Sequence, residues 1–185
     1  MSTSYNEDQL GFITSLVKVI DPKTVFEIGA QQGHSAIALG MGMWSNSKLV
    51  TCDRFEEKYP DPPYAATHAS MAETIKNLEA AGLQCDWQVT KCPYQEELER
   101  FPEGKIDLIH IDICNHFDNI QPILEHIFNK EYRIKLILLE GGVHNHWQKK
   151  HGFDCYTEAI EPFWDRFITI PFDENHAITI VTPEK

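Results

Sequence analysis

Four carboxylates and two glycines stand where apolar runs of this chain give way to turns, and their spacing carries chemistry. Thr24-Val25-Phe26-Glu27-Ile28-Gly29-Ala30-Gln31-Gln32-Gly33-His34-Ser35 is a β-branched run, an acidic residue, two glycines and the start of a helical pattern. A strand, a glycine turn and a helix N-terminus together form a cradle for a small polar ligand. Gly29 and Gly33 let backbone approach a ligand closely, because no Cβ intervenes. The spacing is Glu-x-Gly-x-x-x-Gly and not the Gly-x-Gly-x-x-Gly of dinucleotide sites. Asp53 follows at the end of the next apolar run, where a carboxylate can accept both hydroxyls of a ribose. The same residue could also do no more than cap a solvated turn.

Asp112 and Glu140 end two later apolar runs, and histidines gather around them. Six of the nine histidines fall between His110 and His151. If Asp112, Glu140, His144 and His146 converge, two carboxylates and two imidazoles suit Mn, Fe, Co or Zn better than Mg, which prefers oxygen ligands. Without a metal, His116 or His144 could take a proton from a hydroxyl or amine, since imidazole titrates near neutrality. His110 alternates inward on a strand and reads as a satisfied core residue, and His126 reads as exposed on a helix. His151 with Lys149-Lys150 forms a solvated face or attracts an anionic substrate. Trp147 reads as either a lid or a core anchor.

These residues need a frame that brings strand ends together, and the chain predicts one. Leu10, Ile13, Val17 and Ile20 share a helical face that Asp21-Pro22 stops. Strands follow at Thr24–Ile28, Lys48–Cys52, Cys85–Thr90, Ile106–Ile111 and Leu136–Leu139. Helices between them span Ser35–Met43, a stretch carrying Met71, Ile75 and Leu78 before Gly82, Pro93–Arg100, and one burying Phe117, Ile120, Ile123, Leu124 and Ile127. Pro122 sits early in that last helix, where its missing N–H costs little. A helix over Tyr156–Phe167 precedes strands at Ile168–Phe172 and Ala177–Val181, whose four-residue link makes them antiparallel. Alternating strands and helices give an α/β fold, a doubly wound, mostly parallel seven-stranded sheet in three αβα layers. A C-terminal antiparallel hairpin closes one edge. The strand ends at Glu27–Gly29, Asp53, Lys91-Cys92, Asp112 and Glu140 then line one rim.

The 185 residues suit a single domain, 1–185, with residues 1–21 as an N-terminal helix or lid and 22–185 as its core. A formal charge of −12 argues against a nucleic-acid partner and against anionic membranes. Five scattered cysteines without a CxxC pair point away from a disulfide framework and toward a reducing, cytoplasmic setting. No basic and apolar leader opens the chain, and no apolar run approaches the length of a membrane span. The Glu56–Tyr64 loop is rich in proline, and the lid could be this loop, residues 143–154 or a second copy of the chain in a homodimer.

The glycine segment, with Asp53 and the terminal hairpin, resembles motif I of the class I S-adenosylmethionine-dependent methyltransferases, and the resemblance covers nearly the whole chain. Ile109-His110-Ile111-Asp112, followed by Asn115-His116, resembles the Ile-Asp-Gly-x-His pattern of small-molecule and sugar O-methyltransferases. The resemblance implies methyl transfer from S-adenosylmethionine to a small-molecule acceptor, most simply a hydroxyl. It places Glu27 near the donor's ammonium and Gly29, Ala30, Gln31, Gly33 and Ser35 in the cofactor loop. Asp53 falls at the ribose, Met71 and Cys92 near the adenine, and Asp112 beside the transferring methyl. The third strand ends in Lys91-Cys92, where the family often has Gly-Asp or Gly-Ala. In relatives of catechol methyltransferase, acids at the positions of Asp112 and Glu140 hold a divalent cation, completed by an Asn or Asp where this chain has Gly141. The Asn/Asp-Pro-Pro-aromatic signature of nucleobase N-methylation is missing after the fourth strand; Asp61-Pro62-Pro63-Tyr64 has its composition but the wrong place. An aminopropyl transferase, an NAD-dependent oxidoreductase and a non-catalytic nucleotide-binding scaffold are the alternatives on the same fold.

Overall fold

The structure, a computed structural model, describes residues 6–55, 69–101, 105–113, 117–129, 132, 134–141, 167–173 and 176–182. Among the described residues, the strands at 86–91, 48–53 and 24–28 lie side by side in that order, as do those at 108–111, 136–140, 177–181 and 167–171. The chain divides into two compact units, Met1–Phe101 and Pro102–Lys185.

The first unit begins with α1 (Glu7–Ile20), which opens on a capping box. The Gln9 N–H donates to Asn6 Oδ1 at 2.8 Å, and the Asn6 N–H donates to Gln9 Oε1 at 3.0 Å. Asp21 ends the helix in the left-handed region, and Pro22 follows. Ile13 and Val17 are fully buried, as the apolar spacing requires. α2 (His34–Gly42) packs on α1 so closely that a Cβ on Gly42 would lie 2.7 Å from both the Thr14 carbonyl oxygen and the Val17 Cβ. Thr14 Oγ1 also donates to the Ala38 carbonyl at 2.9 Å, which ties the two helices together.

β1 (Thr24–Ile28), β2 (Lys48–Asp53) and β3 (Asp86–Lys91) form the parallel sheet of this unit. In register, Ile28 faces Cys52 and Cys52 faces Thr90, so the three carboxyl ends lie along one edge. β1 is buried from Val25 onward, the signature of a parallel strand covered on both faces. Phe26 meets Phe101 edge to face with ring centroids 5.5 Å apart. α3 (Met71–Ala81) starts at the Ser70 cap and stops at left-handed Gly82; α4 (Tyr94–Glu99) follows β3. The buried side chains of α3 are Thr74 and Leu78, whereas Met71 and Ile75 are half-buried. Of the apolar face Met71, Ile75 and Leu78, only Leu78 is buried, and apolar spacing passes over Thr74, which is buried with its hydrogen bonds.

The second unit holds β4 (Leu108–Ile111), α5 (Phe117–Asn129), β5 (Leu136–Glu140), β6 (Phe167–Pro171) and β7 (Ala177–Val181). β4 begins at Leu108 and not at Ile106, because the Asp107 carbonyl turns to accept from Lys135 N at 2.8 Å and Leu136 N at 3.4 Å. Ile120, Ile123, Leu124 and Ile127 of α5 are buried, and His126 is half-buried where an exposed position was expected. It lies three residues beyond Ile123 and so shares part of the inward face. The terminal hairpin is antiparallel, with Ile168 opposite Ile180. Its second strand seats between β5 and β6 and pairs antiparallel with β5. Of the helix expected over Tyr156–Phe167, residues 156–166 lie outside the described residues and Phe167 opens β6. Among the described residues no helix is long and apolar enough to cross a membrane.

Candidate functional site

In the first unit the chain leaves β1 through Gly29, at φ +96°, whose N–H donates to the Cys52 carbonyl at 2.8 Å. Gln31 follows at φ +41° and Gly33 at φ +85°. Gly33 closes a turn by donating to the Ala30 carbonyl at 2.7 Å, then accepts from Ile37 N at 2.8 Å as α2 begins. A side chain at Gly33 is excluded twice over. Its φ is strained for an L residue, and a Cβ there would lie 2.6 Å from Leu78 Cδ1 and 3.1 Å from Thr74 Cγ2. Gly33, as N-cap, brings no side chain to the first turn of α2.

Asp53 is the organiser of this loop. Its Oδ2 accepts from the N–H groups of Ala30 and Gln31, each at 2.9 Å, and its Oδ1 accepts from Phe55 N at 2.8 Å. The carboxylate is buried, so backbone donors replace much of the water it gives up. α3 holds the loop from another element. Thr74 Oγ1 donates to the Gln31 carbonyl, and Asn77 Nδ2 donates to the Gln32 carbonyl at 2.9 Å. Neither Thr74 nor Asn77 stands out in an apolar pattern. Ser70, Thr74 and Asn77 nevertheless recur at helical spacing, and that polar stripe is the signal that finds them.

Glu27 is fully buried within β1, opposite Thr51 of β2, and the Thr51 hydroxyl donates to its Oε2 at 2.5 Å. Ser35 is buried in the first turn of α2, and Met71 is half-buried at the start of α3. Cys92 follows β3, its N–H donating to the Asp53 carbonyl at 3.2 Å. Its Sγ lies 3.5 Å from Glu97 Oε2 and 3.7 Å from Thr90 Oγ1. Glu97 is buried on α4 and pairs with Arg100 Nη1 at 2.6 Å. Burial pushes the Cys92 thiol up, with the Glu97 carboxylate adding to the rise and the Thr90 hydroxyl opposing it. Glu97 is a third residue that the sequence pattern did not single out.

In the second unit Ile111 stands in parallel register with Leu139. Asp112 and Glu140 therefore continue neighbouring strands, and both are half-buried. Gly141 follows at φ +93°; its N–H donates to the Ala177 carbonyl at 2.8 Å, and its own carbonyl accepts from Thr179 Oγ1 at 3.0 Å. That backbone favours glycine, the residue without a ligand atom. His110 is buried on β4 as expected. Among the described residues no group of three or more His, Cys, Asp or Glu side chains could hold a metal ion. Of the other residues expected at this rim, His116, His144 and His146 lie outside the described residues, as do His151, Trp147 and Asp61–Tyr64.

A profile for a methyltransferase domain matches residues 26–133, more than half of the chain, from within β1 to beyond α5. The chain belongs to the methyltransferase-domain family. Caffeoyl-CoA O-methyltransferase 2 of Petunia hybrida is 31% identical to this chain over 83 residues, 45% of this chain and 34% of the relative. Caffeoyl-CoA O-methyltransferase 1 of Nicotiana tabacum matches equally, at 31% over 83 residues. The matched stretch therefore spans about a third of the length of these curated relatives. Among solved structures, the O-methyltransferase from Bacillus cereus in complex with SAH superposes with a TM-score of 0.67 at 18% identity, covering 96% of this chain and 82% of that one. The O-methyltransferase TomG from Streptomyces achromogenes in complex with SAM gives 0.64 at 15% identity, covering 96% and 80%. These likenesses establish the methyltransferase fold.

Proposed function

We propose that this methyltransferase moves a methyl group from S-adenosylmethionine to a hydroxyl oxygen of a small-molecule acceptor. The observation that carries the reading is the glycine loop, whose backbone has positive φ at Gly29, Gln31 and Gly33, leaves no room for a side chain at Gly33, and is held by Asp53 at the end of β2. Such a loop suits a ligand with several polar atoms that must lie against main chain. When bound, the donor supplies an activated methyl on a sulfonium.

Gly29, Ala30, Gln31, Gly33 and Ser35 then form the wall of the donor site. Asp53 serves the ribose hydroxyls while it holds the loop, and Glu27 serves the ammonium directly or through water. Met71 and Cys92 flank the adenine. Asp112 and Glu140 flank the acceptor and take up or orient the hydroxyl proton as the oxygen–carbon bond forms and the sulfur–carbon bond breaks, with His116 or His144 as the partner base. Holding two reactants in line can supply roughly 7–11 kcal/mol of the barrier, so positioning is the larger contribution. A divalent ion on Asp112, Glu140, His144 and His146 is the metal-assisted variant of the same reading; the two carboxylates each follow a residue of the Ile111–Leu139 pair, which favours it. Scattered cysteines support a cytoplasmic setting, and a second copy of the chain could cover the acceptor.

Isothermal titration of the whole chain with S-adenosylhomocysteine, decarboxylated S-adenosylmethionine and NAD tests the donor. Micromolar binding of the first alone is expected, and preference for either of the others would move the chain to an aminopropyl transferase or an oxidoreductase. Methyl transfer to a panel of hydroxylated acceptors, beginning with caffeoyl-CoA because its methyltransferases are relatives, then reads the acceptor class.

A further inference from the structure

We propose that Thr74 and Asn77 are positioning residues for the methyl donor, acting through the peptide planes of the glycine loop. The inference deepens the donor site proposed above and rests on it. A peptide unit is planar and trans, so its C=O and N–H point in opposite directions. A donor that grips a carbonyl therefore aims the N–H of the following residue away from itself. Thr74 Oγ1 grips the Gln31 carbonyl and so turns the Gln32 N–H away from α3. Asn77 Nδ2 grips the Gln32 carbonyl at 2.9 Å and fixes the next plane, whose N–H belongs to Gly33 and reaches the Ala30 carbonyl at 2.7 Å.

Asp53 sets the two earlier planes through the N–H groups of Ala30 and Gln31. The loop is thus held by a carboxylate on its N–H groups and by a helix on its carbonyls. The plane between Gln31 and Gln32 lies beyond the two that Asp53 grips, and Thr74 holds it by its carbonyl. Thr74 suits that role because it is fully buried and its hydroxyl is shared with the Ser70 carbonyl at 3.2 Å, which fixes its rotamer. Leu78, one turn further along α3, presses against the Cα of Gly33 and keeps helix and loop in contact.

The test replaces each donor by a group of the same shape. Thr74→Val removes the hydroxyl and keeps the volume, Thr74→Ser keeps the hydroxyl, and Asn77→Asp removes the amide donor at a half-buried position. Thr74→Val and Asn77→Asp are each expected to weaken S-adenosylhomocysteine binding roughly tenfold, the loss of one net hydrogen bond. The KM for S-adenosylmethionine should rise by a similar factor, while kcat at saturating donor and the KM for the acceptor stay within about twofold. Thr74→Ser should bind like the parent chain. If Thr74→Val lowers the melting temperature but binds S-adenosylhomocysteine as well as the parent, or if Thr74→Ser fails to rescue, the residues are structural only and the inference is overturned. Should Thr74→Val not fold, Asn77→Asp decides by the same affinity readout. If the parent chain itself does not bind S-adenosylhomocysteine, the donor assignment falls with this inference, an outcome distinct from a variant-specific null result.

Discussion

The glycine loop and the pair of strand ends at Asp112 and Glu140 are built on different plans. Between Gly29 and Gly33 every peptide has a named partner, whether Cys52, Asp53, Ala30, Thr74 or Asn77. At Asp112 and Glu140 two carboxylates stand on neighbouring strands, and the backbone after the second turns sharply at Gly141 to bond with the hairpin. The first region uses side chains to shape main chain. The second uses main chain to present side chains. A site that binds a common donor can consist largely of backbone, whereas a site that must move a proton needs titratable groups.

The largest effect should come from the second region. Asp112→Asn and Glu140→Gln are each expected to lower kcat by about 100-fold or more, the usual worth of a positioned acid or base, with S-adenosylhomocysteine affinity and melting temperature little changed. Equal loss of affinity and turnover would erase the distinction between the regions. Next comes Asp53→Ala, which strands three backbone N–H groups. At about 1–3 kcal/mol for a buried donor left without its partner, affinity for S-adenosylhomocysteine should fall by about two orders of magnitude. Unchanged affinity by titration would remove Asp53 from the donor site.

Gly141→Asn tests whether the second region can be completed as an all-oxygen cation site. Because φ there is +93°, the substitution should cost about 1–3 kcal/mol in strain. Thermal unfolding with and without Mn²⁺ distinguishes that loss from a gain of metal-dependent stability. The smallest effect is electrostatic and belongs to the first region. Burial pushes the Cys52 thiol well above its ordinary value of 9.0, with Cys92, Asp53, Glu27 and Glu97 adding to the rise. The native chain therefore keeps this proton while the unfolded chain releases it above about pH 9. Stability contributed by Cys52 is complete below that pH and declines by roughly 1.4 kcal/mol per pH unit above it. Urea midpoints from pH 7 to 10 should show the decline, and Cys52→Ala should flatten it.

Much of the frame was legible because strands and helices announce themselves by period. α1 ends at Ile20 and β7 spans Ala177–Val181 as the apolar spacing indicates. Asp53 was legible because an acid at a strand end has little structural reason to follow an apolar run. Its grip on the loop backbone was not, since a hydrogen bond across more than twenty residues leaves no local pattern. Thr74 and Asn77 were hidden for the related reason that a buried polar residue looks like surface in a hydrophobicity count. Gly141 stood out in sequence only as a missing ligand; its backbone angle supplies the cause. The place of the final strand also escaped, because antiparallel pairing says which strands touch and not which lies outermost.

That final strand affects the order in which the protein can be completed. β6 precedes β7 in the chain, yet β7 lies between it and β5. Residues 167–171 are made before the strand that joins them to β5. β6 can join β5 only through Ala177–Val181, which pairs with both. Such non-local, late-closing pairings are slow to form and prone to capture by other chains. The strand made later is the one that joins its predecessor to β5.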